Sequence, residues 1–213
     1  MAAPLLSDAP KAFVPPLQNG DRLSREEFER RWDLHPEIKK AELIDGQVFL
    51  EMTVSRKHGR PHSFGLHWAS TFALRDPSLE VLDNVTVRLD ENDLQPDVLI
   101  RKLHGGSSRA SIDDCVDGPP EFVMEIAASS ATHDLNAKKR AYERGGVLEY
   151  VVWQQYENRL DWFVLVNGRY EAVEAGPDGI IESRTFAGLR LNVPALLSGD
   201  LASVVAAVTP ASA

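Results

Sequence analysis

The sequence predicts a mixed α/β (α+β) domain, in which helices flank a central, partly antiparallel sheet with additional antiparallel strands. Asp45-Gly46 is a two-residue hairpin turn, which predicts that residues 42–44 and 47–52 pair as antiparallel strands. Residues 122–153 follow the order strand, helix, strand, which is typical of a parallel crossover unit. These observations place parallel and antiparallel strand pairs in one domain.

Two helices are predicted in the first third of the chain. The segment SREE, residues 24–27, is a capping-box pattern that predicts a short helix through Trp32. Aromatic residues spaced by four predict a longer helix over residues 58–75 with one apolar face. They are Phe64, Trp68 and Phe72.

Alternating or short apolar runs predict the remaining strands. The predicted strands cover residues 85–90, 95–100, 121–127, 148–154, 159–166 and 169–173, with turns at Asn158-Arg159 and Asn167-Gly168. A helix is predicted over residues 132–144, beginning near Thr132 or Asp134 and ending at Gly145-Gly146. A polar Gly/Ser stretch at residues 104–111 predicts a mobile loop.

One domain is predicted over residues 21–200, because 213 residues are enough for one sizeable core and too few for two. Prolines and small residues predict a flexible N-terminal arm over residues 1–20. The Ala/Val-rich residues 201–213 predict a frayed C-terminal tail.

The composition excludes several classes of function. A net charge of −9 argues against a non-specific nucleic-acid coat, although it allows an enzyme that meets phosphate in one cleft. No apolar run reaches the length of about 20 residues that spans a bilayer, so no membrane association is expected. The single cysteine, Cys115, cannot form an intrachain disulfide and favours a cytoplasmic location.

Two carboxylates fall within neighbouring apolar segments, QPDVLI and EFVMEIA. Alternation places Asp97 on the face opposite Val98, and Glu125 on the face opposite Met124. If the two strands are neighbours, both carboxylates can point to the same side, where their charges repel unless a cation lies between them. Carboxylate oxygens suit a hard divalent ion, so the pattern predicts Mg²⁺ or Mn²⁺ between Asp97 and Glu125.

The helix after Glu125 supplies a third group. Asp134, Lys138 and Tyr142 are spaced by four on one helical face, from which Lys138 can reach Glu125. Its ammonium would orient or help deprotonate a water and offset charge on a phosphate. Alternatively, Lys138 pairs only with Asp134, and each acidic residue lies on a solvated face.

The ordered segments AELIDGQV, HGR, QPDVLI, GPPEFVMEIAASS and DLNAKKRAYERGGVLEYVVW resemble the Uma family of restriction-endonuclease-like proteins. That family belongs to the PD-(D/E)XK nuclease superfamily. The resemblance covers about three quarters of the chain. It implies a restriction-endonuclease-like core, with a mixed sheet flanked by helices and a Mg²⁺-dependent phosphodiesterase site.

The resemblance also implies roles for particular residues. Pro96-Asp97 matches the PD motif, and Glu125 matches the second acid; the backbone carbonyl of Ile126 would be a further metal ligand. Glu42 matches an acidic position that joins the metal site in relatives. The superfamily lysine would stand at Ala127, but here Lys138 on the next helix is the matching residue, with Lys139 as the local alternative.

Other interpretations remain open at this point. His58, in the HGR segment, either contacts phosphate or water near the site or caps its helix. His58 and His62 have a spacing that suits zinc, but no HExxH pattern accompanies them. The predicted function is a metal-dependent DNA endonuclease, dimeric by analogy with the superfamily. A catalytically inactive nuclease fold that binds DNA or protein is the alternative.

Overall fold

The computed structural model describes residues 13–50, 56–128 and 130–208, without the side chains of residues 56–58. Six α-helical segments and one π-helical turn lie in this part of the chain. The helices are α1 (Arg25–Asp33), α2 (Arg56–Ala73), α3 (Ala131–His133), α4 (Lys139–Gly145), α5 (Val193–Ser198) and α6 (Leu201–Ala206), and the π turn (Asp134–Lys138) joins α3 to α4. None of these helices is long and apolar enough to cross a membrane.

Fourteen strands lie in the same described part of the chain. They are β1 (Ala41–Ile44), β2 (Gln47–Leu50), β3 (Leu79–Leu82), β4 (Val87–Leu89), β5 (Asn92–Leu94), β6 (Val98–Lys102), β7 (Arg109–Ala110), β8 (Val116–Asp117), β9 (Phe122–Ala127), β10 (Glu149–Gln154), β11 (Arg159–Val166), β12 (Arg169–Val173), β13 (Ile180–Glu182) and β14 (Arg190–Asn192).

The central sheet has the strand order β12-β11-β10-β9-β6-β3. Its β9 and β10 are parallel, and its other neighbouring strands are antiparallel. The parallel pair is joined through α3, the π turn and α4, which confirms the predicted crossover unit over residues 122–153. Asn167 and Gly168 both have positive φ in the turn between β11 and β12, as the predicted turn requires.

A second sheet, called here the N-terminal sheet, has the order β2-β1-β5-β4-β8-β7. The β1–β2 pair confirms the hairpin predicted at Asp45-Gly46, with Ile44 opposite Gln47. The end of the predicted second strand, residues 51–52, lies outside the described residues. Arg109–Ala110, within the predicted loop 104–111, forms β7 instead, because it pairs with β8.

Apolar side chains cover both faces of the central sheet. On one face Val98, Met124 and Ile126 pack with Trp68 of α2. On the other face a second cluster contains Val123 and, from α4, Tyr142 and Ala141 with further residues of the N-terminal sheet. A third cluster, around Phe28, lies between α1 and the β1–β2 hairpin. The alternation of β6 and β9 therefore predicts correctly which side chains face each layer.

The segment that the sequence predicts as a frayed tail is instead helical over Leu201–Ala206. The Asp200 side chain accepts a hydrogen bond from the Ser203 amide and begins α6. Val204 and Val208 are buried in the same cluster as Trp68, and burial of these apolar side chains fixes the helix. In the predicted N-terminal arm, Leu17 is buried beside Phe28, while residues 1–12 lie outside the described part.

The helix predicted over residues 132–144 begins earlier and is not regular. It starts at Ala131, after Ser130 rather than at Thr132 or Asp134, and residues 134–138 form the π turn. Gly146 ends it with a φ of 87°, as the Gly-Gly pair predicts. The strand predicted from residue 95 begins only at Val98, because Gln95 and Asp97 make side-chain and backbone contacts outside the strand ladder.

Candidate functional site

Strands β6 and β9 bring two acidic positions together. Their antiparallel register pairs Val98 with Met124 and Leu99 with Val123. Continuing the register by one step sets Asp97 opposite Glu125, on the face of the sheet that carries Val123. Directly opposed residues have Cβ atoms about 5 Å apart. The shared face predicted for these two carboxylates is therefore present in the structure.

Asp97 is fixed by the end of the neighbouring strand. Its Oδ2 accepts a hydrogen bond of 2.7 Å from the amide of Ile126. In a β-strand, the N–H and C=O groups of one residue point to the same side. The Ile126 carbonyl therefore points towards Asp97 as the Ile126 amide does, just past Val98, where the pairing of β6 with β9 ends. Lys40 Nζ lies 3.5 Å from Asp97 Oδ1, and His62 Nε2 lies 2.9 Å from the Asp97 carbonyl oxygen.

Lys138 reaches the site from the π turn. Its Nζ lies 2.8 Å from Glu125 Oε1, 2.9 Å from Glu42 Oε1 and 3.9 Å from Asp134 Oδ1. Its exposure is only 2%. A buried ammonium in contact with two carboxylates is a strong ionic contact, so Lys138 does more than pair with Asp134 along the helix.

Glu42 lies on β1 of the N-terminal sheet and faces the same ammonium. Its Oε1 accepts a hydrogen bond of 2.7 Å from the amide of Gln95, in the segment that leads to Asp97. Glu42 and Asp97 are 4% and 3% exposed, respectively. The hairpin that contains Glu42 thus brings it to Lys138, and the role in a metal site that the resemblance implies for Glu42 stays a prediction.

Burial and neighbouring charges raise the pKa values of Glu125 and Lys138 in this cluster. Burial, together with the charges of Asp134, Asp97 and Glu42, raises the pKa of Glu125 well above its ordinary value, against the opposing effect of Lys138. Burial alone would lower the pKa of Lys138, but the surrounding carboxylates outweigh it and raise that pKa. The ammonium therefore stays charged, and the Glu125 carboxyl binds a proton more readily than a free carboxyl group does.

Tyr142 and Asp134 complete the buried cluster. The Tyr142 hydroxyl donates a hydrogen bond of 2.9 Å to Glu125 Oε1, and burial raises the pKa of the Tyr142 phenol. Burial also raises the pKa of Asp134 to about 6. Glu125 Oε1 is thus held by Tyr142 and Lys138 together, which fixes the orientation of the carboxylate.

The donor set suits a magnesium ion that keeps several waters. Asp97, Glu125 and the Ile126 carbonyl offer oxygen atoms only, and Mg²⁺ is usually bound by one or two carboxylates together with water and phosphate. Within the described residues no three His, Cys, Asp or Glu side chains form a ready-made metal cage. Three carboxylates, those of Glu42, Glu125 and Asp134, surround the ammonium of Lys138, and Asp97 lies opposite Glu125, so a divalent ion would reduce the excess negative charge.

Three other positions considered from the sequence add no described side chain to the cluster. His58 belongs to α2, but its side chain lies outside the described residues. Lys139 is turned away from Glu125 and lies over the Phe163 ring, 3.5 Å from its centroid. Ala127, where the superfamily lysine would stand, is fully buried beside Val123.

Three cations in the basic stretches of the chain are held by carboxylates. Lys138 is buried, and Arg101 is 5% exposed and paired with Glu80. Arg144 is paired with Asp45. Each of these cations is therefore already engaged with a carboxylate.

Sequence reasoning missed the roles of Lys40, His62 and Gln95 at this site. The spacing of His58 and His62 suggests only a zinc ligand, but the His62 ring contacts the Asp97 backbone and lies 3.9 Å from Asp83. Lys40 is two residues before Glu42, and this spacing is a weak signal that the two side chains share a face. The Gln95 contact is made by a backbone amide, which no side-chain pattern reveals.

Comparison with known proteins agrees with the fold. A solved structure of a putative nuclease of the DUF820 family, from Anabaena variabilis, has a similar fold, with a TM-score of 0.67 and 14% sequence identity. The similarity covers 83% of this chain and 98% of that one. None of the curated proteins matches this chain. The Uma2 family, described as "Putative restriction endonuclease", matches residues 25–194, and the chain belongs to this family.

Proposed function

We propose that the protein is a Mg²⁺- or Mn²⁺-dependent endonuclease that hydrolyses phosphodiester bonds in DNA. The observation that carries the proposal is the opposed pair Asp97 and Glu125, with the Lys138 ammonium 2.8 Å from Glu125. The nuclease names given to the family and to the Anabaena protein support the same class of reaction.

Asp97, Glu125 and the Ile126 carbonyl would hold the metal. Once bound, the ion would supply positive charge beside the scissile phosphate and favour ionisation of a water. Asp97 Oδ2 is kept in place by the Ile126 amide, and Glu125 by Tyr142. Glu42 orients Lys138 from the opposite side.

Lys138 acts in this proposal as a fixed positive charge and hydrogen-bond donor. Because the neighbouring carboxylates raise its pKa, its ammonium is not the base that removes a proton from water. It would instead orient the attacking water and offset the charge that develops on the phosphate. A homodimer would place two such sites on a duplex, so we propose that both strands are cut by a pair of subunits.

One observation favours a second function, a catalytically inactive nuclease fold that binds DNA or protein. Asp97, Glu125 and Lys138 are at most 3% exposed, and Lys138 already neutralises part of the acidic charge. Cleavage requires that a phosphate reach these groups. A site that never opens would serve only to stabilise the fold.

A cleavage assay distinguishes the two functions. Wild-type protein is incubated with supercoiled plasmid in Mg²⁺, Mn²⁺ or EDTA, beside Asp97→Asn and Lys138→Met. Glu174→Gln is the matched control, because Glu174 is an exposed carboxylate outside the cluster. We expect metal-dependent nicking by the wild type and Glu174→Gln, and at least about 100-fold less by the other two variants.

The outcomes are separable. Nicking that Asp97→Asn retains would come from a contaminant or another site and would refute the assignment. The absence of nicking by the wild type, together with specific DNA binding in a filter assay, would favour the inactive module. A parallel reaction with single-stranded RNA determines which nucleic acid is the substrate.

A further inference from the structure

A cavity lies between α1 and the N-terminal sheet, and its lining does not include Asp97, Glu125 or Lys138. It has a volume of about 480 Å³ and is bounded by α1 and by residues of β4, β5 and the β7–β8 segment. We call it the α1 cavity. Trp32 and Pro36 form its apolar part, while Asp93 and Gln95 point into it from the sheet.

The α1 cavity contains buried acceptors that receive no hydrogen bond from an N–H or hydroxyl group in the described part of the chain. Asp93 is 1% exposed, and among the described residues no N–H or hydroxyl group donates to its carboxylate oxygens, although it contacts the Glu29 carboxyl. The side-chain oxygen of Gln95, which is also buried, is likewise without a donor. Leaving such groups unpaired is costly, so three acceptor oxygens in one cavity indicate a missing donor.

The donors around the cavity are already engaged. Arg88 Nε donates to Glu29 over 2.8 Å, and its Nη1 donates to Asp113 over 2.9 Å. Gln95 Nε2 donates to Thr86 Oγ1 over 3.2 Å. The Trp32 indole N–H donates to the Ile38 carbonyl. The described wall of the cavity therefore offers acceptors to a ligand and has no surplus of donors.

The charge of the cavity lining also favours a ligand that donates hydrogen bonds. Among the described residues, its lining includes four acidic side chains and one cation, Arg88. The acidic residues are Glu29, Asp33, Asp93 and Asp113. A ligand that complements this lining must carry positive charge as well as hydrogen-bond donors.

Asp93 and Glu29 can form a hydrogen bond with each other only while a proton lies between them, because two ionised carboxylates both accept. Burial first, and then the charge of Glu29, raise the pKa of Asp93 to about 7, against the opposing charges of Arg25 and Arg88. Asp33, Asp113 and Cys115 also face the cavity. Above pH 7 the shared proton is lost, and a cation can take its place.

We propose that the α1 cavity binds a small organic cation with several N–H donors, specifically a guanidinium group. A planar guanidinium carries five N–H donors and can engage both oxygens of one carboxylate. Asp93 provides these two oxygens and Gln95 provides the third acceptor, while the Trp32 ring gives the cation an aromatic wall. This proposal does not depend on the proposed nuclease activity, although Gln95 lines the cavity and its backbone amide binds Glu42 of the acidic cluster.

Nuclear magnetic resonance on the ¹⁵N-labelled full chain tests the proposal. Methylguanidinium is titrated to 20 mM at pH 8 and at pH 6, and the Gln95 side-chain amide and Trp32 indole signals are followed. Methylammonium, tetramethylammonium and urea are the comparison ligands. They test, respectively, the guanidinium shape, the need for N–H donors and the need for charge.

We expect saturable shifts of both signals with methylguanidinium at pH 8, and at least fivefold weaker binding at pH 6. Asp93→Asn should weaken binding at least tenfold, and Glu29→Gln provides a second variant if Asp93→Asn fails to fold. Glu174→Gln should leave binding unchanged.

Three results would overturn the proposal. The first is the absence of a saturable shift with methylguanidinium, and the second is equal binding of tetramethylammonium or urea. The third is undiminished binding by Asp93→Asn or, if that variant does not fold, by Glu29→Gln. Tighter binding of methylammonium would overturn the guanidinium assignment.

Discussion

Replacing Lys138 by methionine tests whether the buried ammonium holds the acidic cluster together. The substitution keeps the length and apolar stem of the side chain but removes contacts of 2.8 Å to Glu125 and 2.9 Å to Glu42. Both carboxylates would remain buried with no cation in contact. Removal of one partner from a buried ion pair costs about 3–5 kcal/mol, and we expect a loss of this size at neutral pH without metal.

Urea unfolding at pH 7 in EDTA measures the free energy of unfolding of the wild type, Lys138→Met, Glu125→Gln and the double variant. Because the charges act together, the double variant should recover at least about 1 kcal/mol relative to the sum of the single effects. Lys139→Met is the matched control, because Lys139 lies over Phe163 and its removal should cost about 1 kcal/mol or less. A cost for Lys138→Met no larger than that of Lys139→Met, or strict additivity in the cycle, would refute the buried-cluster interpretation.

Three further predictions concern metal, pH and a second buried acid. Mn²⁺ at 100 times its dissociation constant should stabilise the wild type by about 2.7 kcal/mol in a thermal melt. If Mn²⁺ raised the melting temperature of Asp97→Asn by as much as that of the wild type, the proposed metal site would be excluded. The pKa of Asp93 rises from 3.8 to about 7 on folding, so stability should fall as pH rises through that range. Between pH 5 and pH 8 the wild type should lose about 2.5 kcal/mol relative to Asp93→Asn in urea melts, whereas parallel pH curves would contradict the shift. Glu149 is fully buried and accepts hydrogen bonds from Trp162, Ser183 and Thr185. Glu149→Ala should therefore lower the free energy of unfolding by about 3 kcal/mol or more in the same urea assay. A loss below about 1 kcal/mol would show that these hydrogen bonds contribute little.

Local patterns sufficed to predict much of the fold and the pairing of two acidic residues. The Asp-Gly dipeptide fixes the β1–β2 turn because Asp45 and Gly46 both need positive φ, which few other dipeptides adopt readily. Period-two alternation predicts which side chains of β6 and β9 lie on each face of the sheet. A shift of one residue in either strand would turn Val98 or Met124 to the opposite layer. Both signals depend on residues close together in the chain.

Contacts between distant segments could not be predicted in this way. The helix α6 is stable because Val204 packs into a core built by α2 and the central sheet. No pattern within an Ala/Val-rich segment indicates that this packing site exists. The Lys40 contact with Asp97 joins residues 57 positions apart. Asp93 lies in a short strand with no apolar alternation to mark it, and only the packing of α1 shows that it is buried.

The π turn explains how a lysine on a helix reaches carboxylates on a strand. In a regular α-helix, residues spaced by four drift by about 40° at each step, so Asp134, Lys138 and Tyr142 would spread over roughly 80°. The wider π turn at residues 134–138 advances each residue by a smaller angle and counteracts that drift. All three side chains are consequently buried against the same face. Ala127 can then remain small and pack in the core, while the ammonium arrives from the helix at the position that two buried carboxylates require.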